Sequence, residues 1–349
     1  MKFGFFSPYL DTFGGGERYM LTLASHLSKD HLVDIFWDDL QVKAPLTRFL
    51  KIDLSKTRFA PNIFKKSIIQ KSFKTLGYNL IFVLSDGSVP LTLASRNILH
   101  FQVPFNFPKI NLATRLKLRR YNFVIANSHF TKSFIDRTFQ ISAKVIYPPV
   151  DIKALKASEK EKIILSVGRF SPHQLHPKKQ EILIEVAKEV VKKAPGWKLV
   201  LVGQAKREDY KYLRNLKKQA RGYPIKIIEN LSFDKLSDLY SHSSIYWHAT
   251  GYGEDENKYP QKMEHFGIAT VEAQAAGLVP VVIDKGGQKE IVTDGKNGRL
   301  FSTKAQLYEA TLSLIKNKRE LARLSSEAIV SSRRFSQEKF FREYEKILF

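Results

Sequence analysis

The 349-residue chain has no cysteine. That excludes a disulfide framework, a thiolate zinc site and a cysteine nucleophile, and it fits a reducing compartment. Acidic residues are scarce beside basic ones, 34 Asp and Glu against 57 Lys and Arg, which leaves a formal charge of +23. Such an excess points to an anionic partner: nucleic acid, anionic lipid or a phosphorylated ligand. No apolar run reaches the roughly 18 residues of a membrane span, and the one in the opening MKFGFFSPYL is too short for a signal peptide. The expectation is a cytoplasmic protein, with peripheral attachment to the inner face of the cell membrane left open.

What is present is ordinary globular material, 43% hydrophobic and 26% charged, in a length that suits two domains. Short apolar runs alternate with amphipathic stretches. Strands are predicted at Lys2–Phe6, Val33–Trp37, Leu80–Leu84, Ile98–Phe101, Phe123–Ala126 and Val145–Tyr147, with helical patterns at Glu17–Lys29, Phe64–Leu76 and Thr131–Phe139. Pro148-Pro149 then forces extended backbone. After a polar stretch the alternation resumes, with strands predicted at Ile163–Val167, Leu199–Val202, Ile225–Ile228, Ile245–His248 and Val279–Ile283. Helical patterns cover Gln180–Lys193 and Asp209–Arg221. The fold class expected is α/β, two doubly wound Rossmann-like domains facing across a deep cleft, residues 1–151 and 152–335. The tail 336–349 is helical, with Phe340, Tyr344 and Leu348 on one stripe, and is expected to pack back on the first domain.

Four segments carry candidate chemistry. In Glu264-His265-Phe266-Gly267-Ile268-Ala269-Thr270-Val271-Glu272, a glycine precedes a helical stretch. The free N–H groups of a helix start suit a diphosphate, with one glutamate before it and one within it. A capped loop with two surface glutamates fits that spacing equally. Ser166-Val167-Gly168-Arg169-Phe170 follows a strand, and Lys178-Lys179-Gln180 opens a helix. An arginine and a lysine converging on a crevice hold phosphates; alone, each reads as a solvated surface cation, and neither belongs to a predicted core. Gly14-Gly15-Gly16-Glu17 lets backbone approach a ligand or simply turns the chain. His100 and His248 end strands, as polar groups at a crevice or as core histidines.

Together these segments resemble the large family of retaining glycosyltransferases with two Rossmann-like domains, family 4 of the GT-B fold. The resemblance runs over nearly the whole chain. Glu264 and Glu272 match its pair of glutamates seven residues apart, and Ser166–Arg169 with Lys178 its phosphate-binding cations. Gly14–Glu17 matches its N-terminal glycine loop. Ala126-Asn127-Ser128, Tyr147-Pro148-Pro149-Val150-Asp151, Asp284-Lys285-Gly286-Gly287 and the stretch from Glu290 to Gly298 resemble its other landmarks. The Pro-Pro and Glu-His-Phe-Gly variants are similar to mannosyltransferases of lipid-linked glycan assembly. The resemblance implies that Arg169 and Lys178 bind a donor diphosphate beside Gly168, that Glu264 binds the transferred sugar and Glu272 the ribose. Phe266, Gly267 and Ile268 would offer backbone groups, Gly15 and Gly16 would lie against the diphosphate, and His100 would stand near the reacting sugar. It implies a GDP- or UDP-sugar donor, a glycan or lipid-linked acceptor, no cofactor and no metal.

Other classes fit less well. Asp38 or Asp39 ends the second predicted strand, where a dehydrogenase would bind ribose, but there is no Gly-x-Gly-x-x-Gly. There is no Asp-x-Asp of metal-dependent transferases, and Glu254-Asp255-Glu256 reads as a hydrophilic loop. A sugar-nucleotide epimerase would share the architecture. Charge alone suggests nucleic-acid binding, but the basic residues are dispersed and no nucleic-acid module is visible, so none is expected as partner. The run FKKSIIQKSFKTL, Phe64–Leu76, places its apolar residues on one broad face. It reads either as a helix packed on its sheet or as part of a basic surface, with Arg115–Arg120, that meets anionic lipid.

Overall fold

The computed structural model describes residues 1–106 and 110–349. They form two compact units, residues 1–149 with 338–349 and residues 150–337, each built on a wholly parallel sheet. In the first unit the strands are β1 Lys2–Phe6, β2 Leu32–Phe36, β3 Arg58–Ala60, β4 Leu80–Ser85, β5 Arg96–Phe101, β6 Phe123–Ala126 and β7 Lys144–Val145. Their order is β3-β2-β1-β4-β5-β6-β7. β4 is buried along its whole length, as a strand covered on both faces must be. Its alternate residues serve two cores: Leu80, Phe82 and Leu84 enter one cluster, Ile81 and Val83 the other.

The helix Gln337–Leu348 brings Phe340, Tyr344, Ile347 and Leu348 into the first of those clusters. There the Tyr344 hydroxyl meets that of Tyr19 at 2.9 Å, and Tyr19 donates to the Ile146 carbonyl at 3.0 Å. A stripe of period 3.6 on the last segment thus completes a core begun by the first.

β3 is absent from the sequence expectation because Arg58-Phe59-Ala60 shows no apolar pattern. Pairing creates it. Arg58 lies opposite buried Asp34 on β2 and donates to it at 2.6 and 2.7 Å, while Tyr78 donates at 2.6 Å. Burial pushes the Asp34 carboxyl up, but these bonds outweigh it and hold the group below its ordinary range.

The second unit contains β8 Ile163–Val167, β9 Lys198–Gly203, β10 Ile225–Glu229, β11 Ile245–His248, β12 Val279–Ile283 and β13 Arg299–Phe301. The order is β10-β9-β8-β11-β12-β13. Connections run outward in opposite directions from the neighbours β8 and β11, so the chain leaves a crevice where their carboxyl ends diverge.

The pattern Phe64–Leu76 does not form one helix. A short 3₁₀ turn, Ile63–Lys65, precedes a break, and Ser67 then caps the helix Ile68–Thr75 by accepting from the Gln70 N–H at 3.3 Å. Nor does its apolar face pack on the sheet. The buried residues are Ser72 and Thr75, whereas Ile68, Ile69, Phe73 and Leu76 are exposed. Hydrogen bonds decide this rotation: Ser72 donates to the Ile68 and Leu91 carbonyls at 2.7 and 3.4 Å, and Thr75 accepts from the Leu93 N–H at 2.8 Å. Among the described residues no helix is long and apolar enough to cross a membrane.

Candidate functional site

The switch point of the second unit gathers several of the residues singled out above. β8 ends at Val167, and the chain turns through Gly168 and Arg169. Gly168 is required by close packing: a Cβ there would lie 2.7 Å from Cγ of Lys178, so only glycine lets the lysine stem cross the strand end. Gln180, the first residue of the helix Gln180–Lys193, fixes the turn by donating to the Arg169 carbonyl at 3.0 Å. Lys178 and Lys179 diverge because Lys179 adopts the left-handed conformation, φ 54°. Lys178 reaches Glu264 at 2.5 Å, whereas Lys179 pairs with Glu254 at 3.0 Å.

Glu264 is the centre of the cluster. Its Oε2 receives Lys178 and lies 2.9 Å from Nε2 of His248, the last residue of β11. Burial alone would raise this carboxyl, but Lys178, His248 and His176 outweigh it and hold Glu264 well below the usual carboxylate range. The ionised carboxylate is therefore kept in a desolvated place, which functional sites do more often than cores. Arg169 is exposed, and its guanidinium has no ion-pair partner among the described residues.

Beyond Glu264 the chain passes Phe266 and Gly267 into the helix Ile268–Ala275. Gly267 has φ +118°, and a Cβ there would meet Nε2 of Gln288 at 2.4 Å, so both conformation and space demand glycine. Thr270 and Val271 already donate to the Gly267 carbonyl. The N–H groups of Ile268 and Ala269 precede any helical acceptor and make an anion-favouring end. Glu272, one turn into the helix, accepts from the buried Tyr240 hydroxyl at 3.2 Å. The structure thus brings Gly168, Arg169, Lys178, Glu264, Phe266, Gly267, Ile268 and Glu272 into one unit around one strand junction.

Glu254-Asp255-Glu256 is a pinned loop. Glu254 also pairs with Lys262 at 2.9 Å, Glu256 pairs with Lys289 at 3.0 Å, and Asp255 accepts from the Asn257 N–H at 2.9 Å. Among the described residues no three His, Asp or Glu are grouped to hold a metal ion.

The remaining predicted site residues lie in the first unit. Gly15 and Gly16 are not a free loop; they are the first residues of the helix Gly15–Leu27. The Glu17 carboxylate folds back to accept from the Gly14 N–H at 2.8 Å and from the Thr12 hydroxyl at 2.9 Å, which fixes that helix start. His100 lies inside the first unit. It is 0% exposed, its ring stacks on Tyr19 at 4.0 Å, and its Nε2 lies 2.7 Å from the Gln102 amide. A central strand has buried it, and burial lowers its pKa to about 3. Gln102, at the same strand end, is partly exposed.

Two histidines of the second unit matter more than the sequence reading allowed. For His248 the sequence favours a core histidine over a crevice group, yet it touches Glu264. His176, which no motif marks, packs against His265 with the rings tilted and 4.8 Å apart, and its buried Nδ1 has no partner among the described residues. The only signal for it was its position two residues before Lys178.

A pH dependence follows. Burial holds His100, His176 and His248 below the ordinary imidazole pKa of 6.5. In the unfolded chain they take up protons as pH falls through about 6.5, whereas in the folded chain they resist. Their folded pKa values are depressed, so the stability they favour is complete above that pH and declines below it. Each histidine contributes up to about 1.4 kcal/mol per pH unit. Denaturant unfolding at about pH 7.5 and about pH 5.5 is expected to show the loss, and equal stability at both would refute buried neutral imidazoles.

Comparison with solved structures defines the class. The Anabaena protein HepE, solved with UDP and glucose, superposes with a TM-score of 0.75 at 21% identity, covering 100% of this chain and 99% of that one. A glycosyltransferase from Rickettsia africae gives 0.77 at 16% identity, covering 99% and 97%. The fold is GT-B. Residues 149–330 match the family glycosyl transferases group 1, and the chain belongs to that family. A Dictyostelium discoideum protein named GDP-Man:Man(3)GlcNAc(2)-PP-Dol alpha-1,2-mannosyltransferase is 30% identical over 245 residues, which cover 64% of this chain and 46% of that protein. The chain thus spans about half the length of such relatives. An uncharacterized glycosyltransferase of Haemophilus influenzae is 25% identical over 99% of both chains.

Proposed function

We propose that this protein is a retaining hexosyltransferase, moving a sugar of mannose or glucose type from a nucleoside-diphosphate donor to a glycan or lipid-linked acceptor. The observation that carries the reading is the Glu264 carboxylate held by Lys178 and His248 beside the start of the helix Ile268–Ala275. A donor diphosphate has three attractions there: the helix N–H groups, the Lys178 ammonium and the uncommitted Arg169 guanidinium. Glu264 is then placed to accept sugar hydroxyls, and Glu272 to accept those of the ribose.

The bond from the anomeric carbon to the diphosphate oxygen breaks while the acceptor hydroxyl attacks from the same face. The departing phosphate oxygen takes the acceptor's proton, so atoms and charge balance without a separate base. Stabilising the leaving charge with preorganised donors is worth roughly 3–4 kcal/mol for each. The name of the Dictyostelium relative supports GDP-mannose and a lipid-linked oligosaccharide as the first pair to try.

Purified protein screened against GDP- and UDP-sugars, scored by thermal stabilisation and by hydrolysis, tests the reading. Stabilisation by one donor with slow release of its sugar is the expected result; no response to any donor would overturn it. In this scheme the leaving charge is met by protein cations and helix N–H groups. Transfer is therefore expected to survive EDTA, and complete loss restored by Mg²⁺ or Mn²⁺ would refute that assignment.

A further inference from the structure

The helix Ile68–Thr75 and its C-cap turn apolar side chains to water. Ile68, Ile69, Phe73 and Leu76 are 54, 69, 64 and 54% exposed. Ile69, Phe73 and Leu76 follow helical spacing and form one stripe. The short helix Leu112–Leu118 repeats the feature, with Leu112 and Leu116 one turn apart and 73 and 53% exposed. Both helices hang from one extended segment. Ser72 and Thr75 bond the backbone of Leu91 and Leu93, and Tyr121, just beyond the second helix, donates to the Pro90 carbonyl at 2.7 Å. Partial burial, and then the like charge of Lys117, lower the Lys71 pKa.

The charge around these side chains is one-sided. From Leu54 to Ile135 the sequence holds thirteen Lys and Arg and a single acid, Asp86. Lys65 is matched by Asp38 at 2.7 Å and Lys66 also acts on that carboxylate, but Lys71, Lys74, Lys117 and Arg120 form no ion pair among the described residues. A second copy of the chain would set these cations against themselves. A nucleic acid would use the cations and leave Ile69, Leu76 and Leu112 in water. An anionic bilayer uses both: its headgroups take the ammonium groups and its acyl boundary takes the aliphatic and aromatic side chains.

We propose that the helix Ile68–Thr75, with Leu112 and Leu116 beside it in the same unit, is a shallow anchor that inserts into an anionic lipid leaflet. The proposal is independent of the donor reading, because none of these residues belongs to the candidate site. Insertion distinguishes it from adsorption of lysines alone.

The test uses the full chain and vesicles of phosphatidylcholine, with and without an equal proportion of phosphatidylglycerol. The wild type is expected to sediment with the anionic vesicles at low salt and to be released by salt. The combined variant Ile69→Ser, Phe73→Ser, Leu76→Ser is expected to bind at least about tenfold more weakly with an unchanged melting temperature, since these side chains are exposed. The combined variant Lys66→Gln, Lys71→Gln, Lys74→Gln is expected to bind more weakly and to lose salt dependence. In Phe73→Trp, the added indole emission is expected to shift to the blue on anionic vesicles. Equal binding of the serine variant, absence of binding at low salt, or an unshifted indole on bound protein would each overturn the anchor. Wild-type self-association abolished by the serine substitutions, without vesicle binding, would assign the face to a second copy instead. RNA binding lost only in the glutamine variant, again without vesicle binding, would assign it to nucleic acid.

Discussion

Arg169→Ala is expected to lower turnover by roughly two to three orders of magnitude while leaving the melting temperature unchanged. The guanidinium is exposed and unpaired, so its removal costs the fold nothing and removes only what it gives the leaving diphosphate. Lys178→Ala is expected to lower turnover as much, but not silently. The sequence alone suggested that neither cation matters to folding, because neither sits in an apolar run. The structure sets Lys178 against Glu264 with both side chains only 14 and 13% exposed. Removing one partner of such a pair leaves a desolvated charge and costs about 3–5 kcal/mol. The double variant Lys178→Met, Glu264→Gln is expected to recover much of that stability without recovering activity. Steady-state rates beside denaturant unfolding check both halves. Near-normal turnover in Arg169→Ala and Lys178→Ala would remove the two cations from the mechanism. Unchanged stability in Lys178→Ala would mean that the ion pair does not govern the fold here.

Glu264→Gln and Glu272→Gln are expected to separate chemistry from binding. Glu264 lies in the cluster with Lys178 and His248, so its amide variant should lose transfer by about a hundredfold or more and bind nucleoside diphosphate nearly as before. Glu272 lies a turn into the helix and is steadied by Tyr240. If it accepts from the ribose, losing a charge-assisted bond is worth about 1.5–3 kcal/mol, or roughly ten- to a hundredfold in nucleotide affinity. Calorimetry with free GDP and UDP reads the second effect, and transfer kinetics the first. Normal nucleotide binding by Glu272→Gln would undo the ribose assignment; normal transfer by Glu264→Gln would undo the sugar assignment.

Wherever apolar material repeats locally, the sequence was enough. β1, β8, β11 and β12 occupy the predicted limits, and so does the helix Gln180–Lys193, because a strand buried on both faces and a helix with an apolar stripe declare themselves by their own residues. Chain order then gives two doubly wound sheets, since short parallel strands separated by helices have few other ways to pack. The strand-end positions of Arg169 and His248 and the glycine before the helix Ile268–Ala275 follow from the same local patterns.

Other features came from partners distant in the chain. β3 is a strand because Asp34 waits opposite Arg58, and no window around residue 58 contains that fact. The helix Ile68–Thr75 has a clear apolar face, yet Ser72 donates to the Leu91 carbonyl and Thr75 accepts from the Leu93 N–H, and these bonds turn that face to water. His100 and His248 are alike in sequence, each a histidine ending an apolar strand. The neighbouring side chains separate them: Tyr19 closes over one ring, and Glu264 meets the other. Lys178 and Lys179 are adjacent and chemically identical, and one left-handed residue sends them to different carboxylates. The sequence alone fixes the periodicities that decide which segments are strands and helices, because burial acts on each segment's own side chains. Which polar groups converge, and whether an apolar face is covered, depends on contacts across the fold, and only the tertiary structure decides them.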